Sequence, residues 1–69
     1  MSKPIETEGV QIDIEWGKFI VGSSFFIPCI DTKSVRKQVE HHAAARGMQV
    51  RARDRIENSF WGVRVWRVA

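Results

Sequence analysis

The sequence predicts a small α+β domain: a mainly antiparallel four-stranded sheet with one helix on one face, in the order ββαββ. Three observations predict it. Residues 62–68 alternate almost strictly, which is the two-residue period of a half-buried strand. Residues 10–16 alternate in the same way, and residues 33–46 carry apolar side chains at helical spacing. One helix laid on one face of a sheet is the simplest arrangement of these elements.

The length allows one domain with a thin core. A chain of 69 residues buries only about 60% of the surface that it exposes when unfolded. That leaves little room for a deep substrate pocket, and no residues have the spacing of a catalytic set. We therefore expect no enzyme activity and no cofactor. Residues 1–9 are polar and are predicted to be a flexible tail, followed by a single domain over residues 10–69.

Composition also indicates a compartment. Cys29 is the only cysteine, so the chain cannot close an internal disulfide, which is typical of a reducing cytoplasm. The first residues do not have the pattern of a signal peptide. No run approaches the roughly 20 apolar residues of a membrane span. These features predict a cytoplasmic protein without a membrane partner.

Two strands are predicted before the helix. Residues 10–16 alternate cleanly, and residues 24–27 are aromatic and β-branched. Pro28 ends the second strand or confines it to an edge, because proline lacks the N–H that a central ladder needs. The apolar face of the first strand is made by Val10, Ile12, Ile14 and Trp16.

The helix is predicted over residues 33–46. Asp31 or Thr32 can accept a hydrogen bond from its first free N–H groups, and Gly47 suits a left-handed stop. The apolar stripe at i, i+4 and i+8 is Val35, Val39 and Ala43.

Two further strands follow the helix. Residues 48–56 form the third strand, residues 57–59 the turn, and residues 62–68 the last strand. Asp54 fits poorly on the apolar side of the third strand. If the last strand lay exposed at an edge, it would pair with its copy and make a homodimer.

Charge is placed unevenly along the chain. Residues 1–31 carry two basic and five acidic side chains, whereas residues 32–69 carry nine basic and three acidic ones. A basic half joined to an acidic half favours a partner with an anionic surface. Chance asymmetry in a small protein is the alternative.

The strongest candidate site is the side of the last two strands that the helix does not cover. Arginines interleaved with an aromatic ring suit nucleic acid, because guanidinium groups bind phosphates and an indole stacks on a base. Basic residues on the first helical turns add positive charge. The predicted contacts are Arg51, Arg53, Arg55, Arg64, Trp66, Arg67, Lys33, Arg36 and Lys37.

Two alternatives remain open for the same residues. One alternative places Trp66 and Phe60 in a protein interface, since Arg and Trp are also enriched at interface hot spots. The arginines are otherwise a solvated face whose stems cover Trp66. No metal site is predicted, because His41 and His42 are adjacent on a helix and point about 100° apart. Cys29 is expected to be a buried small residue rather than a nucleophile.

Three segments together resemble a group of short proteins encoded by tailed bacteriophages, with the pattern VGxSFFVP … R-G … GVRVWRV. Here they are VGSSFFIP at residues 21–28, the helix closing at Arg46-Gly47-Met48, and GVRVWRV at residues 62–68. The resemblance implies a phage origin and a location in the host cytoplasm. It implies a DNA-associated accessory, with DNA favoured over RNA, or an inhibitor of a host protein, and it assigns no catalytic residue.

Overall fold

The computed structural model describes residues 4–69 and confirms the α+β class. Its elements are β1 Ile5–Thr7, β2 Val10–Ile12, β3 Ser24–Pro28, α1 Thr32–Ala45, β4 Val50–Glu57 and β5 Phe60–Arg67, with a 3₁₀ turn at Trp16–Lys18. The strands form two antiparallel sheets and not the predicted single sheet of four. β1 and β2 make a hairpin, and the larger sheet has the order β3-β5-β4.

The first predicted strand is shorter than expected and lies outside the larger sheet. β2 ends at Ile12 and pairs with β1, so that Ile5 lies opposite Ile12. Glu8 and Gly9 make this possible, because both adopt positive φ (48° and 75°) and close a two-residue turn. Trp16, expected on the strand, instead lies in the 3₁₀ turn, and its side chain is buried.

The segment predicted to be a flexible tail contributes a strand. Ile5 is 1% exposed and belongs to the core, while residues 1–3 lie outside the part of the chain that the structure describes. The Gln38 side chain of α1 fixes this strand: its amide donates to the Glu6 carbonyl, and its oxygen accepts from the Glu6 N–H, both at 2.7 Å. Gln38 thus acts as one more strand partner for β1.

The last strand is central and not exposed at an edge. β5 pairs with β3 through Phe25 and Val65, and with β4 through Ala52 and Val65. The proposed dimer through an open edge of the last strand is therefore wrong, because both edges of β5 are already hydrogen-bonded. The outer edges of the larger sheet are β3 and β4.

The helix begins and ends on the predicted signals. The Asp31 carboxylate accepts from the Ser34 N–H at 3.2 Å. Gly47 has φ of 71°, and the Met48 N–H donates to the Ala43 carbonyl at 2.9 Å, which is the usual left-handed stop. The predicted apolar stripe is fully buried: Val35, Val39 and Ala43.

The core lies between the helix and one face of the larger sheet. Val63 and Val65 of β5 are 0% exposed and meet the helical stripe there. Trp16 closes one end of this core and packs edge-on against Phe19 and Phe25. Within residues 4–69, no helix is long and apolar enough to cross a membrane.

Candidate nucleic-acid interface

The opposite face of the larger sheet carries the predicted arginines. We call it the open face, because α1 packs on the other side of these strands and no other helix or strand among residues 4–69 covers it. Its side chains alternate along each strand with those of the face that packs toward α1, which in β5 include the buried Val63 and Val65. The open face consists of Ser24, Phe26, Pro28, Arg51, Arg53, Arg55, Glu57, Phe60, Gly62, Arg64 and Trp66.

Strand register arranges these side chains in rows across the sheet. One row runs from Ser24 through Trp66 to Arg51. The next runs from Phe26 through Arg64 to Arg53. The expected alignment of Arg51, Arg53, Arg55, Arg64 and Trp66 on the side away from the helix is therefore found.

One acidic side chain, Glu57, interrupts the positive charge. Its two carboxylate oxygens accept from Nε and Nη2 of Arg64, both at 2.6 Å, and one lies 3.6 Å from Arg55 Nε. The two-pronged bond from Arg64, with help from the nearby charges of both arginines, holds the pKa of Glu57 below its ordinary value. Arg64 also donates to the Ser24 hydroxyl at 2.8 Å, so its guanidinium is held between β3 and β4.

Arg51 and Arg53 differ from this pair. Both are exposed, and neither forms an ion pair with any residue in the 4–69 range. They stand on β4, at the outer edge of the sheet. These two guanidinium groups are the ones available to an anion.

The open face has three aromatic rings, and the two that lie among the arginines are those of Phe26 and Trp66. Phe26 and Trp66 are half-buried, and a guanidinium stands 5.8 Å from each ring centroid: Arg64 over Phe26 and Arg55 over Trp66. Such cation–π contacts are also what the solvated-face interpretation expects. The Phe26 ring rests on Gly62, where an added Cβ would lie 2.6 Å from the ring and 2.3 Å from the Ile27 carbonyl oxygen.

Arg67 is not part of the open face. It follows Val63 and Val65 on the covered side of β5, by alternation along the strand. Its guanidinium donates to the Phe19 carbonyl at 2.8 Å and to the Ala69 carbonyl at 3.1 Å. The structure thus gives Arg67 a bonding role within the fold.

The three basic residues of the helix also lie away from the open face. Arg36 Nε is 3.3 Å from Asp54 Oδ1, an ion-pair distance without hydrogen-bond alignment. Asp54 also accepts from the Thr32 hydroxyl at 3.0 Å, which explains an acid on the covered side of β4. Lys33 and Lys37 are exposed on the helix.

The start of the helix is satisfied by the protein's own acids. The Glu8 carboxylate accepts from the Thr7 hydroxyl and from the Ile30 N–H, and these bonds lower the pKa of Glu8. Asp31 caps the first turn. No external anion is needed to offset the basic residues at this end.

Other chemistry finds little support among the described residues. Cys29 is 7% exposed, and burial, aided by nearby carboxylates, raises its pKa, so the nucleophilic thiolate is disfavoured. No three His, Cys, Asp or Glu side chains of residues 4–69 are grouped to hold a metal ion.

Among the members of the open face that sequence reasoning did not place there, Phe26 and Glu57 bear most on binding. Phe26 was read only as part of a strand, although its place two residues after Ser24 puts it on the same side as Ser24. Glu57 was read as a turn residue. Its alternation with Arg51, Arg53 and Arg55 was the signal that placed it among the arginines.

A second surface was also missed, at the tip of the β4–β5 hairpin. Trp61 and Ile56 lie opposite each other and are 60% and 58% exposed. Ile30 is exposed in the loop before α1, and the neighbouring Cys29 N–H donates to the Trp61 carbonyl at 2.9 Å. We call Ile30, Ile56, Phe60 and Trp61 the apolar tip.

The chain was compared with protein-family models, with curated proteins and with solved structures, and no match was found.

Proposed function

We propose that this protein binds nucleic acid through the open face, without catalysing a reaction. One observation carries the proposal: among residues 4–69, four arginines share one uncovered sheet face with three aromatic rings and a single acid. Phosphates pair with guanidinium groups, and bases stack on aromatic rings. The resemblance to tailed-phage proteins adds DNA as the polymer and the host cytoplasm as the location.

Phosphate contacts would supply most of the binding free energy. Arg51 and Arg53 have no acidic partner among residues 4–69, so they can pair with phosphates at no cost in broken ion pairs. Each phosphate contact releases condensed counterions, and affinity therefore falls as salt rises.

The arginines of β4 have a competing explanation. Charged side chains on an edge strand prevent unwanted pairing with other strands, and β4 is such an edge. This explanation accounts for Arg51, Arg53 and Arg55 without any ligand. It predicts no particular affinity for polyanions, so a binding measurement separates the two.

The test compares two pairs of substitutions that remove the same charge. Arg51→Ala with Arg53→Ala alters the open face, and Lys33→Ala with Lys37→Ala alters the exposed helix. A labelled oligonucleotide is titrated by fluorescence anisotropy at several salt concentrations. We expect the arginine pair to weaken binding at least about tenfold and to flatten the salt slope by roughly 1.4–1.8, while the lysine pair has a small effect.

Equal losses from both pairs would mean that net charge alone attracts the polymer. Absence of binding by the unmodified protein at low salt would leave the edge-protection explanation standing.

The apolar tip favours a second candidate function, docking on a protein such as a host factor. Four large apolar side chains are exposed at this end of the sheet, with Phe60 on the open face and Ile56 and Trp61 on the opposite one, and Trp is typical of interface hot spots. The test is capture of partners from nuclease-treated lysate of a bacterial host. A partner that is retained by the unmodified protein and lost with Trp61→Ser supports docking, whereas loss of all partners on nuclease treatment argues against it.

A further inference from the structure

The open face is a platform three strands wide and not a ribbon. β3 lies beside β5 from Gly62 to Trp66, the stretch that carries Arg64, and α1 covers the back of the sheet. Neighbouring strands are about 4.8 Å apart, and the major groove of B-DNA, about 12 Å wide, admits a helix or a two-stranded ribbon. The platform is therefore too broad to enter a duplex groove with the rings of Phe26 and Trp66 both in contact.

The two rings are placed for separate bases. Phe26 lies opposite Arg64, and Trp66 lies opposite Ser24, so the rings are diagonal neighbours on adjacent strands. Residues in that relation are roughly 7–8 Å apart, with their Cβ atoms somewhat closer. Arg64 stands over the Phe26 ring and Arg55 over the Trp66 ring, so a base that stacks on either ring must displace that guanidinium. Two unstacked bases of a single strand can each take such a place, whereas the bases of a duplex are stacked on one another and face inward.

Charge is also unevenly placed across the platform. Arg51 and Arg53, whose guanidinium groups have no acidic partner in the described range 4–69, stand on the outer strand β4, and the rings stand on β5 and β3. Glu57 repels phosphate at the far end of β4, beside the turn. Phosphates are thus favoured along the β4 edge near Arg51 and Arg53, with bases directed toward Trp66 and Phe26.

We propose that the ligand of the open face is single-stranded nucleic acid, lying with its phosphates on Arg51 and Arg53 and two bases stacked on Trp66 and Phe26. This inference rests on the proposed function and specifies its ligand.

The first experiment compares a short labelled single strand of DNA with the duplex of the same sequence, by anisotropy at low salt. We expect the single strand to bind at least about tenfold more tightly, since only it offers bases for stacking. Equal or tighter binding of the duplex overturns the inference and leaves nucleic-acid binding intact. Binding of neither polymer overturns both.

The second experiment separates stacking from charge. Trp66→Leu should weaken single-strand binding roughly 5- to 150-fold at an unchanged salt slope, and Trp66→Phe should restore most of it. Arg53→Ala should instead flatten the slope by about 0.7. Trp61→Leu, at the apolar tip, is the matched control and should change neither quantity.

Thermal melts show whether each variant folds. If Trp66→Leu does not fold, Trp66→Phe still allows the test to be made. In a variant that carries Trp61→Phe, addition of the single strand should quench the tryptophan fluorescence of Trp66. Adding Trp66→Phe to that variant should abolish the quenching. The proposed stacking is overturned if Trp66→Leu binds the single strand with full affinity. It is also overturned if Trp66→Leu changes only the salt slope and not the affinity at low salt.

Discussion

The two faces of the larger sheet are built from alternate residues of the same strands, yet they differ in almost every property. The covered face buries Val63, Val65 and Ile27 at 0–1% exposure against the helix. The open face carries four arginines, of which two have no ion-pair partner within residues 4–69. Stability therefore depends mainly on one face and charge presentation on the other, so substitutions can address them separately.

Gly62 is an exception to this division between a stabilising face and a charged face, because it lies on the open face and yet its substitution should reduce stability most. Gly62→Ala places a Cβ 2.3 Å from the Ile27 carbonyl oxygen, so the β3–β5 pairing must shift. We expect a loss of about 3 kcal/mol in the free energy of unfolding. Gly17→Ala is the control, since nothing lies within 4 Å of its added Cβ. Urea unfolding measures both, and equal small losses would contradict the packing of Phe26 on Gly62.

A pair of substitutions on opposite faces gives the next largest effect. Val65→Ala removes two methyl groups from a fully buried site and should cost about 2 kcal/mol. Arg53→Ala, one strand away and exposed, should change stability by less than about 0.5 kcal/mol. Oligonucleotide affinity should fall more with Arg53→Ala than with Val65→Ala. A large stability loss from Arg53→Ala would show that the faces are coupled.

Local pattern predicted the covered face well. The helical stripe, both helix ends and the side on which Val63 and Val65 lie all follow from periodicity and capping, which are properties of neighbouring residues. The first hairpin was predicted only in part: β2 lies within the predicted strand over residues 10–16, but β1 lies in the predicted tail. A strand of three residues such as β1 carries too little periodicity to detect, and Gln38 holds β1 from a distant part of the chain.

The open face was predicted only in part. Alternation placed the arginines together, but which of them are neutralised depends on contacts across strands. Glu57 reaches Arg64, seven residues away, only because the hairpin turns back. Arg36 meets Asp54 only after the helix packs on β4. Spacing along the sequence does not contain these distances.

Glu57→Gln sharpens the comparison within the open face. The bonds from Arg64 lower the Glu57 pKa from 4.5, so the folded state binds this proton less readily than the unfolded chain. The contribution of Glu57 to stability is therefore complete above the pKa that its carboxyl group has in the unfolded chain. It is lost as pH falls through the lower pKa that this group has in the folded protein. Urea unfolding should show the unmodified protein more stable than Glu57→Gln at neutral pH, with the gap closing as pH falls below 4.5.

The same variant should bind a polyanion severalfold more tightly at neutral pH, because it removes the only acid of the open face and releases Arg64 and Arg55. Weaker binding would mean that Arg64 must be held in place by Glu57 to make its contact.

The smallest effect concerns the turn that determines which residues reach which face. Asn58 and Ser59 both have positive φ, 50° and 68°, and a slip of one residue here would turn Arg51, Arg53 and Arg55 toward the helix. Serine is strained in this conformation and glycine is not, although glycine loses more entropy on folding. Ser59→Gly should therefore stabilise the protein by about 0.5 kcal/mol in urea unfolding and leave oligonucleotide affinity unchanged. Altered affinity would show that the turn also contacts the ligand, since the register and the open face are preserved.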